Sequence, residues 1–162
     1  MSPRPPSLAG SAAALFGFLA VCFAVSALGS LATFRSVGSW YADLNKPSFN
    51  PPNGVFAPVW TTLYVMIALS GWRIWRRIGF SDRRAYALYA LQLALNLAWS
   101  GIFFGLQRVG AALVELAFLW IAIAATLIAF WRHDRIAGLL LAPYLAWVTF
   151  AGVLNASIWV LN

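Results

Sequence analysis

Apart from Glu115, and Arg73 near the end of the second, the charged residues of this chain sit in short clusters between five apolar stretches, at about 8–34, 56–75, 85–107, 109–131 and 136–161. A helix needs about 20 mostly apolar residues to cross the hydrocarbon core of a bilayer. Only helices and closed barrels satisfy the backbone in lipid, and these stretches lack the strict alternation of barrel strands. The expectation is an all-α integral membrane protein: one domain over 1–162, folded as a five-transmembrane-helix bundle. Pro58 suits the first turn of the second span, where a missing N–H costs nothing, and Pro143 is expected to kink the fifth. The first stretch is much longer than the roughly 7–15 residues of a signal-peptide core, so it is read as a retained helix.

Composition narrows the chemistry. The chain is 62% hydrophobic and only 9% charged, more apolar surface than a soluble domain of this length hides. Cys22 and His133 each stand alone, which gives no disulfide framework, no zinc cluster and no Cys–His nucleophile. No metal, no cofactor and no catalytic residue is therefore read from the sequence. His133 lies in a charged turn and is expected to be solvated.

The net charge of +7 points to topology rather than to nucleic acid. Arg4, Arg73, Arg76, Arg77, Arg83, Arg84, Arg132 and Arg135 fall on the amino-terminal side, eight against the three of Arg35, Lys46 and Arg108. The positive-inside rule puts the amino terminus inside and the carboxy terminus outside. Arg73, Arg76, Arg77, Arg83 and Arg84 form a basic loop expected to contact anionic headgroups. Ten arginines against one lysine point to a GC-rich genome and so to a bacterium; which membrane holds the chain is left open.

Nine tryptophans need explaining. Trp40, Trp72, Trp75, Trp131 and Trp159 fall near span ends, where an interfacial belt accounts for them. Trp99, Trp120 and Trp147 lie deeper, and a buried indole N–H wants a partner. On the third span Tyr89, Gln92, Asn96, Trp99 and Phe103 share one helical stripe. Amides are costly in lipid, so the stripe should face the interior. It reads either as interhelical glue or as a cavity wall. Trp60, Tyr64 and Ala68 on the second span, and Tyr144, Trp147, Ala151 and Asn155 on the fifth, with Phe150 beside them, repeat the pattern. Three converging aromatic stripes with small residues between them suit a flat, mostly apolar ligand.

The segment 35–55 is dense in turn formers yet carries Trp40, Tyr41 and Phe49, as a lid over a bundle opening would. Glu115 is the one acid inside a span. It reads as a proton or ligand site, or as a structural residue near a helix amino end whose side chain snorkels.

Three blocks of residues, in order, carry a family resemblance. They are Trp40-Tyr41-Ala42-Asp43-Leu44-Asn45-Lys46-Pro47 with Asn50-Pro51-Pro52 and 56–64; Gln92 to Asn96 with Trp99 and 102–105; and Pro143 to Trp147 with Phe150-Ala151 and Leu154-Asn155. Together they resemble the TspO/MBR family, the tryptophan-rich sensory proteins whose mitochondrial members are called translocator protein or peripheral benzodiazepine receptor. The resemblance implies a five-helix bundle with a pocket beneath the first loop that takes porphyrins such as protoporphyrin IX, and in animal members cholesterol and benzodiazepine-site ligands. It implies pocket residues Trp60, Tyr64, Asn96, Trp99, Trp147, Phe150, Ala151 and Leu154, a lid containing Trp40, Tyr41, Lys46, Pro47, Pro51 and Pro52, and an intramembrane acid at Glu115.

Departures from the family pattern are specific. Ala156 and Val160 replace the tyrosine and basic residue of the animal cholesterol motif, so sterol binding there is not implied. Ala111 stands where animal members carry a tryptophan, which is expected to widen the pocket. Ala87 and Leu91 break a small-residue pair on the third span, and Ala13 with Gly17 and Ala20 with Ala24 offer another homodimer face. The leading expectation is a membrane binding protein for tetrapyrroles, acting as sensor, scavenger or translocator. Light-dependent porphyrin degradation through tryptophan chemistry, proton-coupled transport through Glu115, and a lipid or protein scaffold are the alternatives.

Overall fold

The computed structural model describes residues 7–162; Arg4, counted above, lies outside the described residues. The chain forms α1 (Leu8–Ser36), a short α2 (Trp40–Asp43), α3 (Asn53–Ile78), α4 (Arg83–Ser100), α5 (Val109–His133) and α6 (Arg135–Leu161). α4 runs on through one π-helical turn, Gly101–Gly105. The five long helices, 23 to 29 residues each, are apolar enough to span a membrane. The chain is an integral membrane protein with an all-α fold.

Local chemistry sets the helix ends. Ser7 Oγ accepts from Gly10 N–H at 3.1 Å, and Asp82 Oδ1 from Ala85 N–H at 3.0 Å. Asp134 Oδ1 takes the N–H groups of Ile136 and Ala137 at 2.8 and 3.2 Å. Each satisfies donors that a helix start leaves open. α3 begins three residues before the expected position, directly after Pro52, whose carbonyl accepts from Val55 N–H at 2.9 Å. Pro58 therefore lies in the second turn of α3, not the first. Pro143 lies inside α6.

The helices close into a ring in the order α1, α3, α6, α5, α4. α3 and α4 follow one another in the chain, yet α3 packs between α1 and α6 while α4 packs between α1 and α5. α1 belongs to this bundle. Trp72 Nε1 donates to the Ser11 carbonyl at 2.9 Å, and the fully buried Cys22 Sγ lies 3.5 Å from the Tyr89 hydroxyl. Ala13, Gly17, Ala20 and Ala24 are exposed on its outer face.

The end of the bundle that holds the start of α1 is basic and tightly packed. Tyr89 stacks on Phe130 with ring centroids 5.6 Å apart, and Gly71 lets Phe18 and Tyr89 close in where a Cβ would sit 2.8 and 2.9 Å from their rings. Asp134 Oδ2 accepts from Arg73 Nη2 at 2.8 Å and Arg77 Nε at 3.2 Å. Burial works to raise the Asp134 pKa, but the helix N–H bonds and Arg73 outweigh it and hold the carboxyl below its usual range. The Ala85 N–H, then His133, do the same for Asp82. His133 is not simply solvated as expected: its Nε2 lies 2.8 Å from Asp82 Oδ2, because the α5–α6 turn comes down beside the start of α4.

Candidate ligand-binding site

At the other end, under the segment 37–52, α1, α3, α4 with its π-helical turn, and α6 enclose a cavity of about 460 Å3 to which α5 contributes no lining residue. Trp60 and Tyr64 of α3, Asn96 and Trp99 of α4, and Trp147, Ala151 and Leu154 of α6 line it. Seven of the eight expected pocket residues thus converge. Phe150 does not line the cavity; it packs behind Trp147 at 5.5 Å and against Phe49 at 6.3 Å. One α-helical position, 100°, turns it away from Ala151 and Trp147's inner edge.

The polar groups of the site are largely paired with one another. Tyr64 OH donates to Asn96 Oδ1 at 2.6 Å, and Asn96 Nδ2 donates to Tyr144 OH at 2.9 Å. Trp99 Nε1 donates to Asn155 Oδ1 at 3.2 Å, and Asn155 Nδ2 to the Val109 carbonyl at 2.9 Å. The α4 stripe is therefore a wall and, at Asn96, also glue, whereas both Gln92 amide atoms are buried with no hydrogen-bond partner among the described residues. Tyr89 and Gln92 are buried in the packed end, and Asn96, Trp99 and Phe103 face the cavity. Because the hydrogen-bonding groups are engaged, what the walls present is mainly ring and methyl surface. Trp60 packs with Tyr64 at 5.6 Å and Tyr144 at 6.2 Å, Phe56 with Trp147 at 6.0 Å, and Trp99 stacks on Phe103 at 5.0 Å.

Sequence reasoning missed a whole wall. Ser26, Gly29, Ser30, Thr33 and Phe34 of α1 and Val37 just past its end line the cavity, as do Ser100 and Phe104. The signal was there: 26, 30, 33 and 37 follow at helical spacing, and three of them are hydroxyl residues in an otherwise apolar run. Ser30 and Thr33 hydroxyls bond back to the Ser26 and Gly29 carbonyls at 2.8 and 3.1 Å, so they too turn little polarity inward. Ser30 and Phe34 on α1, with Asn53, Ala57 and Thr61 on α3, line the cavity and are also exposed on the outside of the bundle. The cavity opens sideways there, between the loop-end halves of α1 and α3.

The π-helical turn shapes the top of α4. Leu106 N–H reaches back to the Gly101 carbonyl at 2.8 Å, and the Phe104 carbonyl accepts from Ser36 Oγ at 2.7 Å, tying α4 to α1. Insertions of this kind recur at functional sites. They let adjacent rings, here Phe103 and Phe104, both line the cavity.

Of the expected lid residues, Tyr41 alone lines the cavity. Its hydroxyl donates to Asn50 Oδ1 at 3.1 Å, and burial pushes its pKa up, with the Asn50 bond opposing, so it stays a neutral donor. Trp40 packs edge-on against Phe103 at 5.7 Å. Lys46 Nζ donates to the Ala42 and Leu44 carbonyls at 3.0 Å each and lies 4.9 Å from the Tyr41 ring centroid. The Pro47 and Pro52 carbonyls accept the turn bonds from Asn50 and Val55, and Asn50 Nδ2 donates to the Pro51 carbonyl at 3.1 Å. These residues stiffen the roof rather than touch its contents. The roof is also moored to the end of α6: Asn45 N–H donates to Asn162 Oδ1 at 2.9 Å, and Asn162 Nδ2 to the Asn45 carbonyl at 3.0 Å.

Other expected residues lie elsewhere. Both Glu115 carboxyl oxygens are buried with no hydrogen-bond partner among the described residues. The side chain therefore does not snorkel to the interface, and it is not part of the cavity lining. Ala111 is exposed on the outside of α5, so its small size does not widen the pocket. Trp120 is also on the outer face, its Nε1 donating to Thr149 Oγ1 at 2.9 Å.

The chain that folds into this roofed five-helix ring matches the family model of the TspO/MBR family across residues 18–160. The chain belongs to the TspO/MBR family. It is 43% identical over 150 residues to a tryptophan-rich protein TspO of Archaeoglobus fulgidus, covering 93% of this chain and 95% of that one. It is 41% identical over 145 residues to a tryptophan-rich sensory protein of Cereibacter sphaeroides, covering 90% and 89%. With the translocator protein of Sus scrofa it shares 42% over 142 residues, covering 83% and 84%. These relatives come from archaea, bacteria and mammals, so the expectation of a bacterial source rests on arginine usage alone.

Proposed function

We propose that this TspO/MBR protein is a membrane-embedded binding protein for tetrapyrroles, with protoporphyrin IX as the type ligand, and for related flat hydrophobic molecules, acting as sensor, scavenger or translocator. One observation carries the reading: an aromatic-walled cavity in which Tyr64, Asn96, Trp99 and Asn155 are already paired and which opens sideways between α1 and α3. Such a site selects by shape and stacking rather than by polar readout. The ring would lie between the Trp60–Trp147 side and the Trp99–Phe103 side, with its edge toward the lateral opening. The basic end is assigned to the inside, in line with the arginine count; labelling of an Asn162→Cys variant by a membrane-impermeant maleimide from the inside only would reverse that assignment.

The test is a dark titration of tryptophan fluorescence with protoporphyrin IX on the detergent-purified protein, with free tryptophan correcting for inner-filter loss. Saturable quenching in the micromolar range is expected, weakened in Trp147→Phe and unchanged in Trp120→Phe, whose indole is outside the cavity. Linear quenching in all three would mean that porphyrin only partitions into the micelle, and the reading fails. Trp60 and Trp147 both line the cavity, which favours tryptophan-based degradation as the second reading. Illumination distinguishes it: a new absorbing product lost in Trp→Phe variants supports degradation, and photobleaching at the rate seen without protein removes it.

A further inference from the structure

At the basic end, remote from the aromatic cavity, a recess of about 260 Å3 is walled by Arg73, Arg76, Arg77 and Asp134. Positions 73, 76 and 77 share one helical face, so three guanidinium groups meet near the end of α3. One carboxylate serves them. Asp134 Oδ2 takes Arg73 and Arg77, while Oδ1 is spent on the first N–H groups of α6. Two positive charges remain in excess. Arg73 Nε is buried with no acceptor among the described residues, a state in which a donor is ordinarily paired. Arg76 forms neither ion pair with Asp134; its guanidinium lies 4.9 Å from the Trp72 ring centroid, steadied on an aromatic face. Fixed guanidinium forks match the oxygens of a phosphate group.

We propose that this recess is a phosphate-group site, filled by the headgroup of an anionic phospholipid or by free phosphate. It is narrower than a general attraction of basic residues to the membrane surface. Arg83 and Arg84, at the start of α4, carry the same charge at the same end but do not line the recess. The proposal stands whatever the aromatic cavity holds.

The full-length protein in neutral detergent is equilibrated with phosphatidylglycerol or phosphatidylcholine, and lipid retention is read by native mass spectrometry. In a second arm, the 31P line width of inorganic phosphate is followed with and without protein. Wild type should prefer phosphatidylglycerol. Arg76→Gln, which breaks no ion pair but removes a direct guanidinium–phosphate bond, should lose about tenfold of that retention, and the Arg83→Gln/Arg84→Gln double variant less than about twofold. Saturable broadening of inorganic phosphate, with displacement of the lipid, would support a site for free phosphate; retention of phosphatidylglycerol without such competition would support a lipid headgroup site. Equal losses in the two variants would reduce the effect to surface charge and overturn the proposal. So would the absence of both lipid preference and phosphate binding.

Discussion

The two ends of this bundle serve opposite purposes, one packed and one enclosing a cavity. At the basic end Gly71 admits Phe18 and Tyr89, Tyr89 stacks on Phe130, and Ser70 Oγ donates to the Ala137 carbonyl at 2.7 Å. There small residues bring neighbours together. At the loop end Ala57, Gly29 and Ala151 are small as well, but they border a cavity of about 460 Å3. The difference lies in what stands opposite: at Gly71 the rings of Phe18 and Tyr89 fill the gap, whereas Ala57 and Ala151 border open space between aromatic walls. Packing inside lipid gains little from hydrophobicity, since the surrounding tails are as apolar as leucine, so contact density does the stabilising. The packed half supplies that density, and the hollow half is held open by the Tyr64–Asn96–Tyr144 chain and the roof moored to Asn162.

Substitutions should separate the halves by sign as well as size. Phe130→Ala removes a fully buried ring from the packed end and should cost about 2–3 kcal/mol, below the ~3–5 kcal/mol of a water-soluble core because lipid already solvates an apolar group. Denaturant unfolding in mixed micelles measures it, and a loss under 1 kcal/mol would mean that the packed half is looser than described. Adding volume to the same half is next: Gly71→Ala forces its methyl against Phe18 and Tyr89 and should cost about 1–2 kcal/mol.

The mirror experiment is Ala151→Leu, which adds volume at the cavity wall. Stability should change by no more than about 0.5 kcal/mol, while porphyrin quenching should weaken at least about tenfold as the leucine occupies the ligand's space. A stability loss equal to that of Gly71→Ala would erase the contrast between the halves.

Acid gives the smallest effect and is confined to one end. Asp82 and Asp134 have lowered pKa values in the folded chain, so their stabilisation is present above the ordinary aspartate value of 3.8 and is lost as pH falls through the depressed values below it. The melting temperature of wild type should therefore fall toward that of Asp134→Asn only below about pH 4. A gap between the two that closes already at pH 6 would contradict the assignment.

Much of this was legible beforehand, for a reason specific to membranes. Apolar runs of about 20 or more residues in lipid must be helices, and amides and tyrosines on such helices must face inward, so the Tyr89-to-Phe103 stripe and the aromatic stripes through Trp60, Tyr64, Trp147 and Ala151 follow from spacing, whereas Leu154 as a pocket residue came only from the family resemblance. Pairings that join distant segments did not follow. His133 meets Asp82 across 51 residues and Asn45 meets Asn162 across 117, and no local pattern encodes either.

By itself, then, the sequence determined the number of spans, their helical state, the polar faces of α4 and α6 and the family. Tertiary structure alone decided the order around the ring, that Phe34 of α1 but no residue of α5 lines the cavity, and that Phe150 and Ala111 stand outside it. The physical reason is that lipid and protein core are equally apolar. A leucine or phenylalanine on α1 satisfies its surroundings facing either way, so hydrophobic periodicity marks inward faces only where polar groups interrupt it. Which apolar face meets a neighbour is fixed by how the helices fit against one another.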